Sequence, residues 1–270
     1  MRRGAAAAKI NLALVVGPRR ADGKHDLLTV YQRITLADRL DVRHAVRNEV
    51  TGFADDTLVS RGIDALTAQD EVRLSVRIDK RIPVAAGLGG GSADAAAALA
   101  LGNELLRDPL PAGRLDAIAR ELGADVPFFL RAGPQLGAGD GTELRQLDLP
   151  QDYWILIVVP HTEQKSSTAD VYARFDARGG DAGFQVRAAA LLGALERVRR
   201  PRDLAELPAN DLASSPFADE LRELGAFRAD VTGAGPGVYG LFLHRGPAVA
   251  AEKRLRGRGR TWLAAPAWYV

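Results

Sequence analysis

A glycine-rich segment in the first half of the chain restricts its fold and function more than any other stretch. It spans residues 83–94 and contains four glycines. A strand-like alternation precedes it over residues 72–78, and an alanine-rich helical pattern follows over residues 93–106. Because glycine has no side chain, several backbone N–H groups can face one anion, and the helix start adds the positive end of its dipole. The pattern predicts a phosphate-binding loop, with the Ser92 hydroxyl capping the helix.

Two common phosphate loops do not fit this segment. A Walker A loop ends in Gly-Lys-Ser/Thr, and no lysine follows Gly91. The glycine spacing imitates a dinucleotide fingerprint, but it lies deep in the chain and no βαβ unit with an acidic residue follows it. The segment therefore indicates a nucleoside triphosphate bound by another fold. The alternative interpretation is a flexible connection between a strand and a helix.

Composition narrows the class of protein. At 270 residues the chain has the length of one or two domains, and 47% hydrophobic with 26% charged residues is typical of soluble globular proteins. The net charge of +2 and the dispersed basic residues predict no nucleic-acid partner. The basic run at 253–260 lacks interleaved aromatic residues and is interpreted as a solvated helix end. The absence of cysteine excludes disulfides and thiolate chemistry.

The hydrophobic segments predict no membrane partner. Lys9 and Asn11 interrupt the apolar N-terminal stretch, which argues against a secretory signal. The apolar strand at 153–159 is far too short to cross a bilayer. We therefore expect a cytoplasmic protein.

Periodicity and turn residues predict a chain of mixed strands and helices with a junction at 149–152. We expect one domain over residues 1–150 and a smaller α+β domain over residues 151–270. Strands are expected over residues 7–16, 27–36, 40–46, 72–78, 142–147, 153–159 and 238–243. Helices are expected over residues 57–66, 93–106, 111–122, 166–175, 184–199, 217–224 and 247–256.

Two ionisable residues are candidates for chemistry near the glycine segment. Asp125 lies among apolar residues, and a buried carboxylate seldom lacks a cationic partner, so it is a candidate base for an attacking hydroxyl. Lys9 and Asn11 alternate on the first strand and so direct two polar groups to one face, where Lys9 can pair with Asp125. The alternatives are that Asp125 caps a short turn and that Lys9 is an edge-strand lysine facing solvent.

Five segments together resemble the GHMP superfamily of small-molecule kinases. They occur in the order found in that superfamily, at residues 8–12, 20–25, 83–96, 122–128 and 232–236. The resemblance spans nearly the whole chain. It is strongest to the branch that phosphorylates a cytidine-diphosphate-linked polyol.

The resemblance implies a two-domain α+β GHMP kinase fold. Its N-terminal domain would be an α/β domain like domain 2 of ribosomal protein S5, its C-terminal domain a ferredoxin-like α+β domain, and its active site the cleft between them. ATP, with Mg²⁺, would phosphorylate the 2-hydroxyl of the diphosphocytidyl polyol in non-mevalonate isoprenoid precursor biosynthesis. No set of magnesium ligands is evident in the sequence.

The resemblance also assigns roles to residues. Asp125 would be the catalytic base and Lys9 its charge partner. His25 would read the cytosine and Tyr172 would stack on it. The remaining substrate contacts would be Asn11, Thr168, Thr232 and Gly233. The ATP-binding residues would be Pro83, Val84, Ala85, Ala86, Gly87, Leu88, Gly89, Gly90, Gly91, Ser92 and Ala93.

One position departs from the family pattern. Lys24 stands where the family usually has tyrosine, so one stacking ring is replaced by a cation. Two other functions stay open. One is a related GHMP kinase acting on homoserine, mevalonate or a sugar. The other is a nucleotide-binding module without catalysis, in which Lys9 and Asp125 would lie far apart.

Overall fold

A long antiparallel hairpin forms the centre of the molecule. In the computed structural model, which describes residues 1–53, 55–161 and 167–268, strand β1 (Arg2–Arg19) pairs with β2 (His25–His44). From Ala6 to Gly17 every residue of β1 is buried, because helices pack on one side of the hairpin and the second half of the chain packs on the other.

Strand β2 corrects one prediction. The sequence suggested two strands, over residues 27–36 and 40–46, separated near Asp38. The structure has one continuous strand, since the Asp38 carboxylate is fully buried and accepts hydrogen bonds from Lys80 and from the backbone of Ile82. A buried carboxylate whose oxygens accept hydrogen bonds can lie inside a continuous strand.

The hairpin belongs to a six-stranded sheet that also contains four shorter strands. The order is β3-β4-β2-β5-β6, with β1 paired to β2, and only β3 and β4 run parallel among these pairs. The shorter strands are β3 (Glu49–Thr51), β4 (Leu74–Asp79), β5 (Gln135–Ala138) and β6 (Glu143–Gln146). The helices of this half are α1 (Leu58–Leu66), α2 (Gly90–Asn103), α3 (Ala112–Leu122) and α4 (Val126–Phe129).

Helix α2 begins earlier than its sequence pattern indicated. It starts at Gly90, because Gly89 adopts a left-handed conformation (φ 68°) and turns the chain into the helix. Glycine adopts this conformation without the strain that a Cβ would cause. Ser92 therefore lies inside the first turn, and the prediction that its hydroxyl caps the helix is wrong. At the start of α1, the Asp56 carboxylate accepts the Val59 N–H at 2.6 Å.

A second sheet of four antiparallel strands occupies the other half, in the order β10-β7-β9-β8. Its strands are β7 (Trp154–Pro160), β8 (Arg228–Val231), β9 (Val238–Phe242) and β10 (Gly259–Ala264). The helices are α5 (Thr168–Ala177), α6 (Phe184–Leu195), α7 (Pro216–Glu223) and α8 (Arg245–Leu255), with a 3₁₀ turn at Pro201–Glu206. The predicted start of α5 at Ser166 lies outside the described residues; the described helix has a capping box between Ser167 and Asp170.

The two sheets meet along the hairpin. The chain passes from one sheet to the other between residues 146 and 154, which brackets the predicted junction at 149–152. Residues 265–267 then return to β2, where the Thr35 N–H donates to the Ala265 carbonyl at 2.8 Å and the Ala267 N–H to the Arg33 carbonyl at 2.9 Å. Within the described ranges, no helix has the length and apolar character needed to cross a membrane.

Candidate active site

A cleft of about 760 Å³ lies where the two halves face each other. Its walls come from β1, the β1–β2 turn, the glycine segment, the start of α4, helix α5 and the turn at 232–237. The cleft thus brings together most of the segments in which the sequence placed candidate residues. Of the predicted ATP-binding residues, Ala85, Gly87, Gly89 and Ser92 line it, whereas the side chains of Ala86, Leu88 and Ala93 are buried behind its wall.

Neighbouring elements hold the carbonyl groups of the glycine segment. The Gly237 N–H donates to the Ala86 carbonyl at 3.1 Å, and the Lys9 N–H donates to the Leu88 carbonyl at 3.0 Å. Between them, the Thr232 hydroxyl donates to the Gly87 carbonyl at 3.3 Å. The first N–H groups of a helix have no partner within it, so the start of α2 can donate to an anion in the cleft.

Two glycines in this segment cannot carry a side chain. A Cβ on Gly87 would lie 2.0 Å from the Thr232 carbonyl oxygen, and one on Gly89 would lie 2.9 Å from the Phe129 ring and 3.1 Å from the Lys9 side chain. Both residues have positive φ, 81° and 68°. The loop is therefore packed into one shape against the turn at 232–237 and the catalytic candidates, which suits a preformed phosphate cradle.

Lys9 and Asp125 form an ion pair in the wall of the cleft. The Lys9 Nζ lies 3.6 Å from Asp125 Oδ2 and donates to Asn11 Oδ1 at 2.6 Å. Lys9 is only 3% exposed, so the alternative of a solvent-facing edge lysine is wrong. The Asp125 side chain is 32% exposed, which leaves its carboxylate accessible from the cleft.

Irregularities in β1 place Lys9 and Asn11 on the cleft side. The pairing register with β2 shifts between Ala7 and Lys9 and again between Asn11 and Ala13. Such β-bulges change the direction of side chains locally. The Asn11 amide then donates to the Thr29 hydroxyl at 2.8 Å, which fixes its orientation beneath Lys9.

Tyr31 is a site residue that sequence reasoning missed. Its hydroxyl donates to Asp125 Oδ1 at 3.1 Å, and its ring lies 5.7 Å from the Lys9 Nζ. Burial, together with the charge of Asp125, raises the pKa of Tyr31 well above its usual value, so it remains a hydrogen-bond donor. Asp125 occupies the cap position of α4 without a side-chain capping bond, which contradicts the capping alternative. Tyr31 lies opposite Asn11 in β2, a pairing that the sequence does not show.

The other end of the cleft contains an aromatic pair. The His25 and Tyr172 rings stack with centroids 4.9 Å apart, and His25 Nε2 lies 2.7 Å from Asp176 Oδ1. Rings at this distance are already in contact, so no planar group can enter between them. Burial and the charge of Asp125 raise the pKa of Tyr172 to about 12. Thr168 lies exposed at the start of α5, one helical turn before Tyr172.

The turn at 232–237 contains two predicted substrate contacts, Thr232 and Gly233, and only one of them is accessible from the cleft. Gly233 lines the cleft, whereas Thr232 is fully buried. The Thr232 hydroxyl accepts the Asn11 N–H at 3.1 Å and donates to the Gly87 carbonyl. The structure therefore corrects the predicted substrate contact of Thr232 to a supporting role, in which it joins β1 to the glycine segment.

Lys24, the residue that departs from the family pattern, is paired with an acid. Its Nζ lies 2.6 Å from Asp140 Oδ2, so the β1–β2 turn is tied to the β5–β6 turn at the mouth of the cleft. Burial raises the pKa of Asp140, but hydrogen bonds from Lys24 and Thr142 outweigh it and lower the pKa to about 2. The sequence did not indicate this partner. Among the described residues, no group of three or more His, Cys, Asp or Glu side chains is arranged to hold a metal ion.

Comparison with known sequences points to one group of enzymes. Residues 57–133 match the family described as GHMP kinases N terminal domain. The chain is 37% identical over 285 residues to a 4-diphosphocytidyl-2-C-methyl-D-erythritol kinase of Geobacter sulfurreducens, with 96% of each chain covered. It is 39% identical over 258 residues to the enzyme of the same name from Moorella thermoacetica, with 86% of this chain and 87% of the relative covered.

Solved structures agree with this result. A crystal structure of 4-(cytidine 5'-diphospho)-2C-methyl-D-erythritol kinase superposes with a TM-score of 0.79 at 30% identity, covering 98% of this chain and 99% of the other. A mevalonate kinase superposes with a TM-score of 0.76 at 13% identity over 99% of both chains, a likeness of fold alone. These likenesses confirm the predicted mixed α/β fold class. The two named domain types and the boundary at residue 150 remain predictions.

Proposed function

The chain belongs to the GHMP kinases, ATP-dependent phosphotransferases, and from that premise we propose that it phosphorylates the 2-hydroxyl of 4-diphosphocytidyl-2-C-methyl-D-erythritol. This reaction would place it in non-mevalonate isoprenoid precursor biosynthesis. The observation that carries the proposal is the contact between Lys9 and Asp125 beside the glycine segment. A nucleotide-binding module without catalysis would not need these two charges together at the phosphate cradle.

In the proposed reaction Asp125 is the base. Its Oδ2 accepts the proton of the acceptor hydroxyl as that oxygen attacks the γ-phosphorus of ATP and the bond to the β-phosphate oxygen breaks. The Lys9 ammonium stabilises the negative charge that develops on the attacking oxygen, and Tyr31 holds Asp125 through its other oxygen. The buried position of Lys9 and its bond to Asn11 restrict its movement, so little reorganisation accompanies the transfer.

The triphosphate is proposed to lie along the glycine segment. The close packing around Gly87 and Gly89 supports this, since the backbone there can approach an anion without intervening side chains. Mg²⁺ would accompany the triphosphate, as Mg²⁺ in kinase sites is commonly bound by substrate phosphates with one or two carboxylates. Its charge would neutralise the phosphate oxygens during transfer.

The acceptor is proposed to lie between Asp125 and the aromatic pair. Tyr172 would provide a stacking surface for the cytosine and His25 would recognise that base. Asn11, Thr168 and Gly233 would contact the remainder of the substrate. The proposal for cytosine is supported by the names of the relatives and by the aromatic surface at this end of the cleft. Lys24 would remain at the mouth of the cleft in its ion pair with Asp140 rather than over the base.

A coupled assay of ADP release tests the proposal. The purified protein is given ATP and Mg²⁺ with the diphosphocytidyl polyol, homoserine or mevalonate, and the phosphorylated product is identified by mass spectrometry and phosphorus NMR. We expect turnover with the diphosphocytidyl polyol and competitive inhibition by cytidine diphosphate against that acceptor. Turnover with homoserine or mevalonate instead, without inhibition by cytidine nucleotides, contradicts the acceptor assignment while retaining the kinase assignment.

A further inference from the structure

Three charged residues outside the proposed reaction form a buried cluster beneath the glycine segment. The Lys80 Nζ donates to Asp38 Oδ2 at 2.6 Å and to Asp94 Oδ2 at 2.7 Å. Both aspartates are fully buried, and the Lys80 side chain is 14% exposed. Buried charges are expensive unless paired, so this cluster has a structural or functional reason to persist.

The cluster connects the two ends of the glycine segment. At the start of the segment, Asp38 Oδ1 accepts the backbone N–H groups of Arg81 and Ile82, immediately before Pro83. At its end, Asp94 lies in the first turns of α2, which begins at Gly90. Lys80 therefore links the strand β2, the entrance of the segment and the helix that closes it.

The ammonium also lies close to the helix start itself. A Cβ added to Gly90 would lie 3.0 Å from the Lys80 Nζ. The Phe53 ring lies 5.6 Å from the same ammonium on another side. Lys80 is thus enclosed by groups that hold it in place, and its charge is shared between two carboxylates rather than directed into the cleft.

We propose that Lys80 is a positioning residue for the phosphate donor, which acts by holding Asp38 and Asp94 together and so setting the spacing between the two ends of the glycine segment. The inference rests on the proposed function only in that this segment binds ATP. A cradle of backbone N–H groups binds an anion tightly when those groups are preorganised, and a small displacement weakens every contact at once.

The competing explanation is that Lys80 attracts the triphosphate directly by its charge. The two explanations predict different effects of Asp94→Ala. If Lys80 acts by position, removing its link to α2 loosens the cradle and weakens nucleotide binding. If Lys80 acts by charge, the ammonium remains and loses a competing acceptor, so nucleotide binding stays unchanged or becomes tighter.

The test measures the dissociation constants of ADP and of a non-hydrolysable ATP analogue by calorimetry, for Asp94→Ala and Lys80→Met. We expect both constants to rise about tenfold in each variant, with the KM of the acceptor within about threefold of the original value. Lys80→Met removes the cation that joins two buried acids and can fail to fold. Asp94→Ala removes a buried acid, one oxygen of which has no hydrogen-bond partner. We therefore expect this variant to fold, so that its nucleotide affinity can be measured.

Leu255→Ala is the control for general loss of stability. Leu255, on α8, is fully buried in the hydrophobic cluster of the second sheet, which contains no residue of the glycine segment. We expect it to lower the midpoint of thermal unfolding while leaving nucleotide affinity unchanged. Unchanged or tighter binding in Asp94→Ala overturns the inference, as does an equal loss of affinity in Leu255→Ala. Absence of turnover with the cytidine-containing acceptor affects only the proposed function, since nucleotide binding is measured without the acceptor.

Discussion

The ammonium of Lys9 lies 3.6 Å from the Asp125 carboxylate, although the two residues belong to the first strand and to the cap of a short helix in the middle of the chain. Packing of α4 against α2 and the hairpin brings them together. The pair lies beside Gly89, whose missing side chain leaves room for Lys9 and Phe129. The proposed base, its cation and the proposed phosphate cradle are therefore one packed unit.

Asp125→Asn should abolish most of the turnover without loss of nucleotide binding. The amide keeps the shape of the side chain but cannot accept the proton of the acceptor hydroxyl, so kcat should fall roughly 10²–10⁴-fold. Steady-state kinetics and calorimetry with ADP measure the two effects. Asp116→Asn is the control, since Asp116, on α3, pairs with Arg120 and Arg131 and does not line the cleft. Near-normal turnover in Asp125→Asn would rule out its role as base.

Tyr31→Phe should lower kcat about tenfold and leave the KM of ATP unchanged. The substitution removes the hydrogen bond to Asp125 Oδ1, and hydrogen bonds to charged groups contribute about 1.5–3 kcal/mol. The ring itself remains stacked on Phe128, with centroids 4.9 Å apart, so the fold should persist. Single-turnover measurements separate the chemical step from product release. An unchanged kcat would show that Asp125 is oriented by Lys9 alone.

Gly89→Ala should weaken nucleotide binding and destabilise the protein. The left-handed backbone costs a non-glycine residue about 1–2 kcal/mol, and the added Cβ meets Phe129 and Lys9. Chemical denaturation and ADP calorimetry measure the two losses. Gly113→Ala is the matched control, because Gly113 lies in α3 with open space around its Cβ position. It should be neutral or slightly stabilising, and equal losses in both variants would contradict the close packing at Gly89.

The pH dependence of stability should report on Asp94. Burial and the neighbouring Asp38 raise the pKa of Asp94 to about 8, against the opposing effect of Lys80. The native state therefore binds a proton that the unfolded state has released, since an unfolded aspartate has a pKa near 4. Between about pH 4 and pH 8 this group lowers the free energy of unfolding as pH rises, by at most about 1.4 kcal/mol per pH unit.

Asp94→Asn removes this titration. The free energy of unfolding of this variant minus that of the original protein should become more positive from about pH 4 to pH 8. The original protein loses stability over this range, whereas the amide does not ionise. Urea denaturation at pH 5, 6, 7 and 8 measures the difference. A difference that stays constant over this range would show that Asp94 titrates near its usual value.

Lys24→Tyr should strengthen binding of cytidine nucleotides. The substitution breaks the ion pair with Asp140, in which the Lys24 side chain is 55% exposed, and places an aromatic ring in the same cleft as Tyr172. We expect the inhibition constant of cytidine diphosphate to fall several-fold, measured by competition against the acceptor. Lys24→Met, which breaks the ion pair without adding a ring, is the control. Equal inhibition constants in the two variants would show that position 24 does not contact the base.

Several features were predictable because they depend on local sequence. Helix α3 follows from its apolar periodicity, helix α5 from its periodicity and capping box, and the glycine segment from its composition. The prediction of two strands in place of β2 was wrong. As long as the buried partners of Asp38 are unknown, a charged residue at this position indicates a break between two strands. Strand β8 was missed because Arg228 and Asp230 look solvated in a linear sequence, yet both are buried, and Arg228 donates to carbonyl groups of neighbouring segments.

By itself, the sequence determined the glycine segment, the residue types available for chemistry and the family to which they belong, since these depend on residue identity and order. Only the tertiary structure decided which of these residues meet. The bulges beside Lys9, the hydroxyl of Tyr31 on Asp125, the acid that pairs with Lys24 and the cluster around Lys80 all join segments far apart in the chain. Such contacts arise from pairing register and packing, which a local pattern does not encode.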